Sequence, residues 1–166
     1  MRSALAPAVS LLTAAALAGC GPFGDDEGGD GAPSEDEFVA MGDEICRTAQ
    51  REVADVQRDP PTSRRESVRF AESLIAIFED EVGQLSALDP PDYVQAPFDR
   101  YVDAREEAIA ALEEGRQAAE ENDAEGYADA QAEVAEGQVE RAELAQEVGF
   151  GECSAGPLAA PEEGAP

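Results

Sequence analysis

The sequence predicts an all-α protein, an up-down-up-down four-helix bundle over residues 34–153. Apolar residues recur at spacings of three and four in four successive segments, which is the period of one helix face. Asp-Pro-Pro strings at 59–61 and 89–91 end the first two segments, because proline lacks the amide hydrogen and clashes with the preceding turn. The connections are short, which favours antiparallel neighbours. No strand pattern competes with this interpretation.

A capping box begins each of the first two helices. Ser34 is followed by Glu37, and Ser63 by Glu66, so that hydroxyl and carboxylate can satisfy unpaired backbone donors. The first apolar face comprises Phe38, Met41, Ile45, Ala49, Val53 and Val56. The second comprises Val68, Ala71, Ile75, Phe78, Val82 and Leu85, widened by Leu74 and Leu88.

The third helix is expected from about residue 92 to about 122, and its tail beyond Gly115 is expected to bury little. Its predicted core residues are Val94, Phe98, Tyr101, Ala108, Ile109 and Leu112. Asn122-Asp123 supplies a turn and a cap. The fourth helix ends at Gly149, with Phe150 folding back as an apolar companion. Its predicted core residues are Tyr127, Ala130, Val134, Leu144 and Val148.

The N-terminus carries the marks of an export signal. A basic start at Arg2 precedes an apolar run over residues 4–16, and the run closes on the string LAGC, which ends at Cys20. We therefore predict a cleaved signal peptide over residues 1–19 and a lipid on Cys20, which would anchor the chain at the outer face of the cell membrane. The alternatives are a plain secretory signal or an uncleaved anchor. The run is shorter than the roughly 20 apolar residues that a bilayer requires.

Two segments are predicted to lack a fold. Residues 20–33, the lipidated cysteine and the stretch after it, are rich in Gly and Asp and form a flexible acidic tether, and residues 154–166 form a disordered tail. The string from Asp26 to Glu37 partly fits a calcium loop. It places Gly28 where a ligand is usual and Pro33 where an apolar residue is usual, so a solvated linker is the better interpretation.

Composition narrows the possible chemistry. The chain has 38 acidic residues against 11 arginines, a formal net charge of −27, and no histidine or lysine. This charge disfavours nucleic acid and anionic membrane surfaces as partners. Without histidine the usual general base and the Ser-His and Cys-His nucleophile systems are absent. The paired glutamates, at 106–107, 113–114 and 120–121, fall where a solvated helix face is expected. We therefore predict no catalytic residue, no cofactor and no metal site.

Cys46 and Cys153 are predicted to form a disulfide, because two spare thiols outside the cytoplasm usually pair. In this topology the fourth helix ends beside the start of the first. Four extended residues after Gly149 would span about 13 Å, enough to reach Cys46. Two free thiols and a thiol metal site are the alternatives.

Several short motifs together resemble those of small lipoproteins from GC-rich Gram-positive bacteria of the actinobacterial type. They are the lipobox, the acidic tether, Ile45-Cys46, a Leu-x-x-Leu-x-Pro-Pro junction at 85–91 and a closing Gly-Phe-Gly-Glu-Cys at 149–153. The turn at Asn122-Asp123 departs from the pattern, since no glycine precedes it. The resemblance covers the whole chain and implies a four-helix fold with a disulfide. It carries over no catalytic residue.

These features predict a non-catalytic module, held at the membrane by the lipid on Cys20, that binds a protein or cell-envelope component or acts as a spacer. Phe70, Ile77 and Val102 lie off the apolar faces and are candidates either for an exposed patch or for the edge of the core. A different class, weak divalent-cation binding by the acidic faces, is the alternative. A role as an accessory subunit of a transporter or secretion system is equally compatible with the sequence.

Overall fold

A computed structural model describes residues 33–155, and within this range the chain consists of helices and turns. The elements are α1 (Glu35–Gln57), α2 (Arg64–Leu85), α3 (Gln95–Glu121), α4 (Ala124–Val148) and a short α5 (Gly151–Ala155). The predicted four-helix fold is confirmed. The predicted signal peptide, Cys20, nearly all of the tether and residues 156–166 lie outside the described residues.

The main core cluster establishes the direction of each helix. Phe38 from the start of α1 and Phe98 from the start of α3 meet Leu85 from the end of α2 and Val148 from the end of α4. Phe150, which is fully buried, fills the centre of this cluster. The helices therefore alternate in direction, as an up-down-up-down bundle requires. A second cluster lies further along the bundle and comprises Val53, Leu74, Ile75, Phe78 and Leu112.

The helix ends follow the predicted local signals, with one difference. The capping box of Ser34 and Glu37 is present. The hydroxyl of Ser63 accepts from the Glu66 amide, whereas the Glu66 carboxylate accepts from the amide and hydroxyl of Thr62 rather than from Ser63. Only half of the second predicted box forms, because Thr62 offers the carboxylate two donors.

Left-handed residues end α3 and α4. Asn122 has a φ of 60° and Gly149 a φ of 98°, and Asp123 caps α4 by accepting from the amides of Glu125 and Gly126. Phe150 folds back as predicted, since its amide donates to the carbonyl of Ala145. These helix ends fix the short connections from α3 to α4 and from α4 to α5.

The buried stripe of α1 is rotated from the predicted face. Met41 is 40 % exposed and Ile45 is only half-buried, whereas Gly42 and Cys46 face inward. The cause is tertiary, because the ring of Phe150 packs directly over Gly42. The apolar periodicity of α1 alone could not reveal this partner.

The four helices pack in chain order. α1 packs on α2, α2 on α3, and α3 most extensively on α4, while α1 and α4 hardly touch each other directly. Small residues bring α3 and α4 together, since a Cβ on Gly115 would lie 3.2 Å from that of Ala130. The tail of α3 was predicted to bury little, but Ala118 and Ala119 are buried.

Replacing Glu66 with Gln should weaken the dependence of the free energy of unfolding on pH in acidic solution. Hydrogen bonds from the hydroxyl and amide of Thr62, with a smaller effect of the nearby Ser63, hold the pKa of Glu66 at about 2, below its ordinary value of 4.5. A lowered folded-state pKa stabilises the protein above the unfolded-state value, and this contribution is lost as the pH falls from about 4.5 toward 2. Urea unfolding across this range measures the effect. The exposed Glu79→Gln variant of the same helix is the control, and an equal change in both variants would contradict the prediction.

Replacing Gly42 with Ala should destabilise the bundle by roughly 1–3 kcal/mol, because the new methyl group would overlap the ring carbons of Phe150. Gly83→Ala is the matched control, since a Cβ there meets nothing within 4 Å. Alanine at this exposed helical position should instead stabilise by about 0.5–1 kcal/mol. Chemical denaturation of the two variants separates a close-packing effect from helix propensity.

Candidate functional site

A disulfide joins α1 to α5. The Sγ atoms of Cys46 and Cys153 are 1.94 Å apart and the Cα atoms 5.1 Å apart, so the predicted pairing is present. The chain reaches Cys46 through a helical turn rather than an extended segment, and that turn continues to Ala155, past the predicted boundary at residue 153. On the α1 side, the Asp43 carboxylate accepts from the amide of Glu152 at 2.9 Å.

A buried polar centre lies behind this bridge. We give this name to Glu81 from α2, Tyr101 and Arg105 from α3, and the Cys46–Cys153 bridge. The carboxylate of Glu81 and the guanidinium of Arg105 form an ion pair, and these residues are only 4 % and 8 % exposed. The Cys46 sulfur lies 3.6 Å from a Glu81 carboxylate oxygen and 3.7 Å from the Tyr101 hydroxyl. A disulfide sulfur carries no proton, so these are packing contacts in the oxidised protein.

Burial dominates the electrostatics of this centre. It raises the pKa of Glu81, while the positive charge of Arg105 opposes the rise. Burial likewise raises the pKa of Tyr101, which keeps its hydroxyl protonated. The guanidinium of Arg105 also lies over the ring of Phe78, 4.5 Å from its centroid, and its Nε has no hydrogen-bond partner among the described residues.

Glu81 and Arg105 were not singled out from the sequence, although a signal for them exists. Glu81 lies three residues after Phe78 and directly before Val82, so it falls on the buried stripe of α2. Arg105 lies four residues after Tyr101 and three before Ala108, on the buried stripe of α3. Opposite charges that interrupt the apolar stripes of neighbouring helices are typical of a buried ion pair.

A cavity of about 230 Å³ lies beside the polar centre and is lined by residues of all five helices. Most of its lining is apolar, with Phe70 and Leu74 from α2, Leu112 from α3 and Val134 from α4. Arg105 and Arg141 supply its charged groups. We refer to it below as the arginine cavity.

The predicted surface candidates lie in two environments. Phe70, Ile77 and Val102 are half-buried and pack against the core clusters, as expected for the edge of a core. The glutamates predicted on solvated faces, at 106–107, 113–114 and 120–121, are all exposed. In residues 33–155, no three acidic or cysteine side chains converge in a way that could hold a metal ion. No helix in that range is both long and apolar enough to cross a bilayer.

Replacing Arg105 with Met should destabilise the protein by roughly 3–5 kcal/mol, since Glu81 would remain buried without a partner. Acidification should reduce this loss, because a proton neutralises a carboxylate whose pKa is raised. The Glu81→Met/Arg105→Met double variant should recover much of it. The matched control is Arg100→Met, which breaks an exposed pair with Glu147 and should cost about 0–1 kcal/mol. Strictly additive single-variant losses in urea unfolding would contradict a coupled pair.

No protein-family model, curated protein or solved structure matches this chain. The resemblance to actinobacterial-type lipoproteins therefore stays a prediction from short motifs.

Proposed function

We propose that this chain is a lipid-anchored lipoprotein outside the cytoplasm whose helical bundle is a non-catalytic binding module for a protein or cell-envelope partner. The observation that carries the proposal is the Cys46–Cys153 disulfide. Structural disulfides form and persist in oxidising compartments and are rare in the cytosol. This agrees with the export motif that ends at Cys20.

The arrangement of the bundle supports presentation to a partner. Ser34, where the bundle follows the proposed tether, lies at the end that holds the Phe38 cluster. The α1–α2 and α3–α4 connections therefore lie at the opposite end, away from the point of attachment. That end is accessible to a partner when the other end is held near a membrane.

The side chains support binding rather than catalysis. In the polar centre, Glu81 and Arg105 neutralise each other, the sulfurs are bonded together, and Tyr101 is a buried, protonated hydroxyl. The outer surface is strongly acidic, which favours a partner with a cationic surface and disfavours anionic lipid. A binding role uses the acidic surface and the rigid polar centre, and it requires no reactive group.

Replacing Cys20 with Ser tests the anchor. Wild-type protein should be recovered with the membrane fraction, whereas Cys20→Ser should be released as a folded, soluble bundle, because the lipid is the proposed attachment. The Cys46→Ser/Cys153→Ser double variant is the control. It should stay with the membrane while losing roughly 2–5 kcal/mol of stability. Fractionation with immunodetection and urea unfolding measure the two effects.

Two results would overturn the proposal. If Cys20→Ser stays with the membrane, attachment does not depend on the lipid. If Cys46 and Cys153 in wild-type protein from its own cells are alkylated without reductant, as read by mass spectrometry, the chain does not mature in an oxidising compartment.

A further inference from the structure

We propose that the arginine cavity binds a small amphipathic monocarboxylate, an anion with an apolar body such as a medium-chain fatty acid. This site is separate from the partner surface proposed above and does not depend on the anchor. The observations that carry it are the positive charge at the cavity, the apolar lining and the size of the space.

Arg141 supplies a charge that lacks an ion-pair partner. Among the described residues no carboxylate oxygen lies within 4 Å of its guanidinium, whose one hydrogen bond, at 2.6 Å, goes to the carbonyl of Val134. It also lines a second surface cavity with Glu107, Glu133, Glu136 and Glu140, whose carboxylates remain beyond that distance, although Glu140 attracts it at longer range. Burial, followed by repulsion from Arg105, lowers the pKa of Arg141, although an arginine stays charged at neutral pH.

The sequence of α4 keeps this charge unpaired. Helical ion pairs form at spacings of three and four, and the residues at those spacings from Arg141 are Gly137, Gln138, Leu144 and Ala145. None is acidic, in a helix that is otherwise rich in glutamate.

Arg105 of the polar centre also lines this cavity. Glu81 neutralises the charge of Arg105, but the Nε of Arg105 is buried without a hydrogen-bond partner among the described residues. Within the described range, the positive charge without an ion-pair partner at this cavity is therefore that of Arg141. One such guanidinium matches a single carboxylate, which guanidinium groups bind through paired hydrogen bonds. A dianion would exceed the available positive charge.

The remaining lining selects an apolar body. Phe70, Leu74, Leu112 and Val134 give the cavity an apolar wall on three helices. Its volume of about 230 Å³ exceeds the roughly 150 Å³ of a cavity that holds benzene and is smaller than the roughly 300 Å³ at which drug-sized pockets begin. A short or medium acyl chain, or one substituted ring, fits between these limits.

The test uses the full chain carrying Cys20→Ser, produced by export so that the disulfide forms and no attached lipid competes. Calorimetric titration compares octanoate with octanol, which has the same apolar chain without the charge, and with inorganic phosphate, which has charge without the chain. Octanoate should bind at least tenfold more tightly than either. Equal binding of octanoate and octanol, or binding of phosphate alone, would overturn the proposal.

Variants then locate the site. Arg141→Gln should weaken octanoate binding about tenfold or more while leaving octanol unchanged, because it removes a charged donor. Ala135→Leu should weaken both, since the larger side chain fills the cavity from an exposed position that tolerates it. Arg69→Gln, an exposed arginine on α2 outside the cavity lining, is the control and should change neither. NMR contacts from the octanoate chain to Phe70 provide a readout that needs no variant. Octanoate binding that none of these variants alters, or octanoate contacts elsewhere, would place the ligand outside the cavity and refute the proposal.

Discussion

The Cys46–Cys153 bridge is the constraint on which the rest of the bundle depends. Of the main helices, α1 packs extensively only on α2, and it reaches α4 chiefly through α5 and the bridge. The bonded cysteines are 107 residues apart, and closing a loop of that size is worth roughly 4–5 kcal/mol in the chain-entropy model. The link therefore contributes a large share of the stability of the folded bundle relative to the unfolded chain.

The core is largest beside the bridged α5. Phe150, folded back at the end of α4 and followed directly by α5, enters the cluster of Phe38, Phe98 and Tyr101, with its ring centroid 5.2–6.2 Å from theirs. Aromatic rings in edge-on or tilted contact fill that end of the bundle. Toward the other end α3 and α4 approach through alanine and glycine, as at Gly115 and Ala130, which gives close backbone packing.

The local features of the helix ends and the long-range features of the core were not equally predictable from sequence. Proline stops, the Ser34 cap and the left-handed Gly149 are local signals, and each is present in the structure because neighbouring backbone atoms satisfy it. The rotation of α1 and the Glu81–Arg105 pair depend on residues far away in the chain. A periodic pattern gives the width of a buried stripe, but the ring that packs over Gly42 determines which edge of that stripe turns inward. Likewise, a charge on an apolar stripe becomes interpretable only when its partner helix is known.

The arginine cavity follows from the uneven packing of α1, which contacts α2 extensively and α4 little. α1 and α4 have little direct packing, and the cavity is lined by residues of both helices, of α2 and α3, and by the bridged Cys153. An unpaired charge beside such a space carries a desolvation cost that grows with its burial, and Arg141 is half-buried. Here the one arginine of an acidic helix lines the space, at a position whose helical neighbours at spacings of three and four carry no acid. A carboxylate that enters the space would give this guanidinium the ion pair that its own helix does not supply.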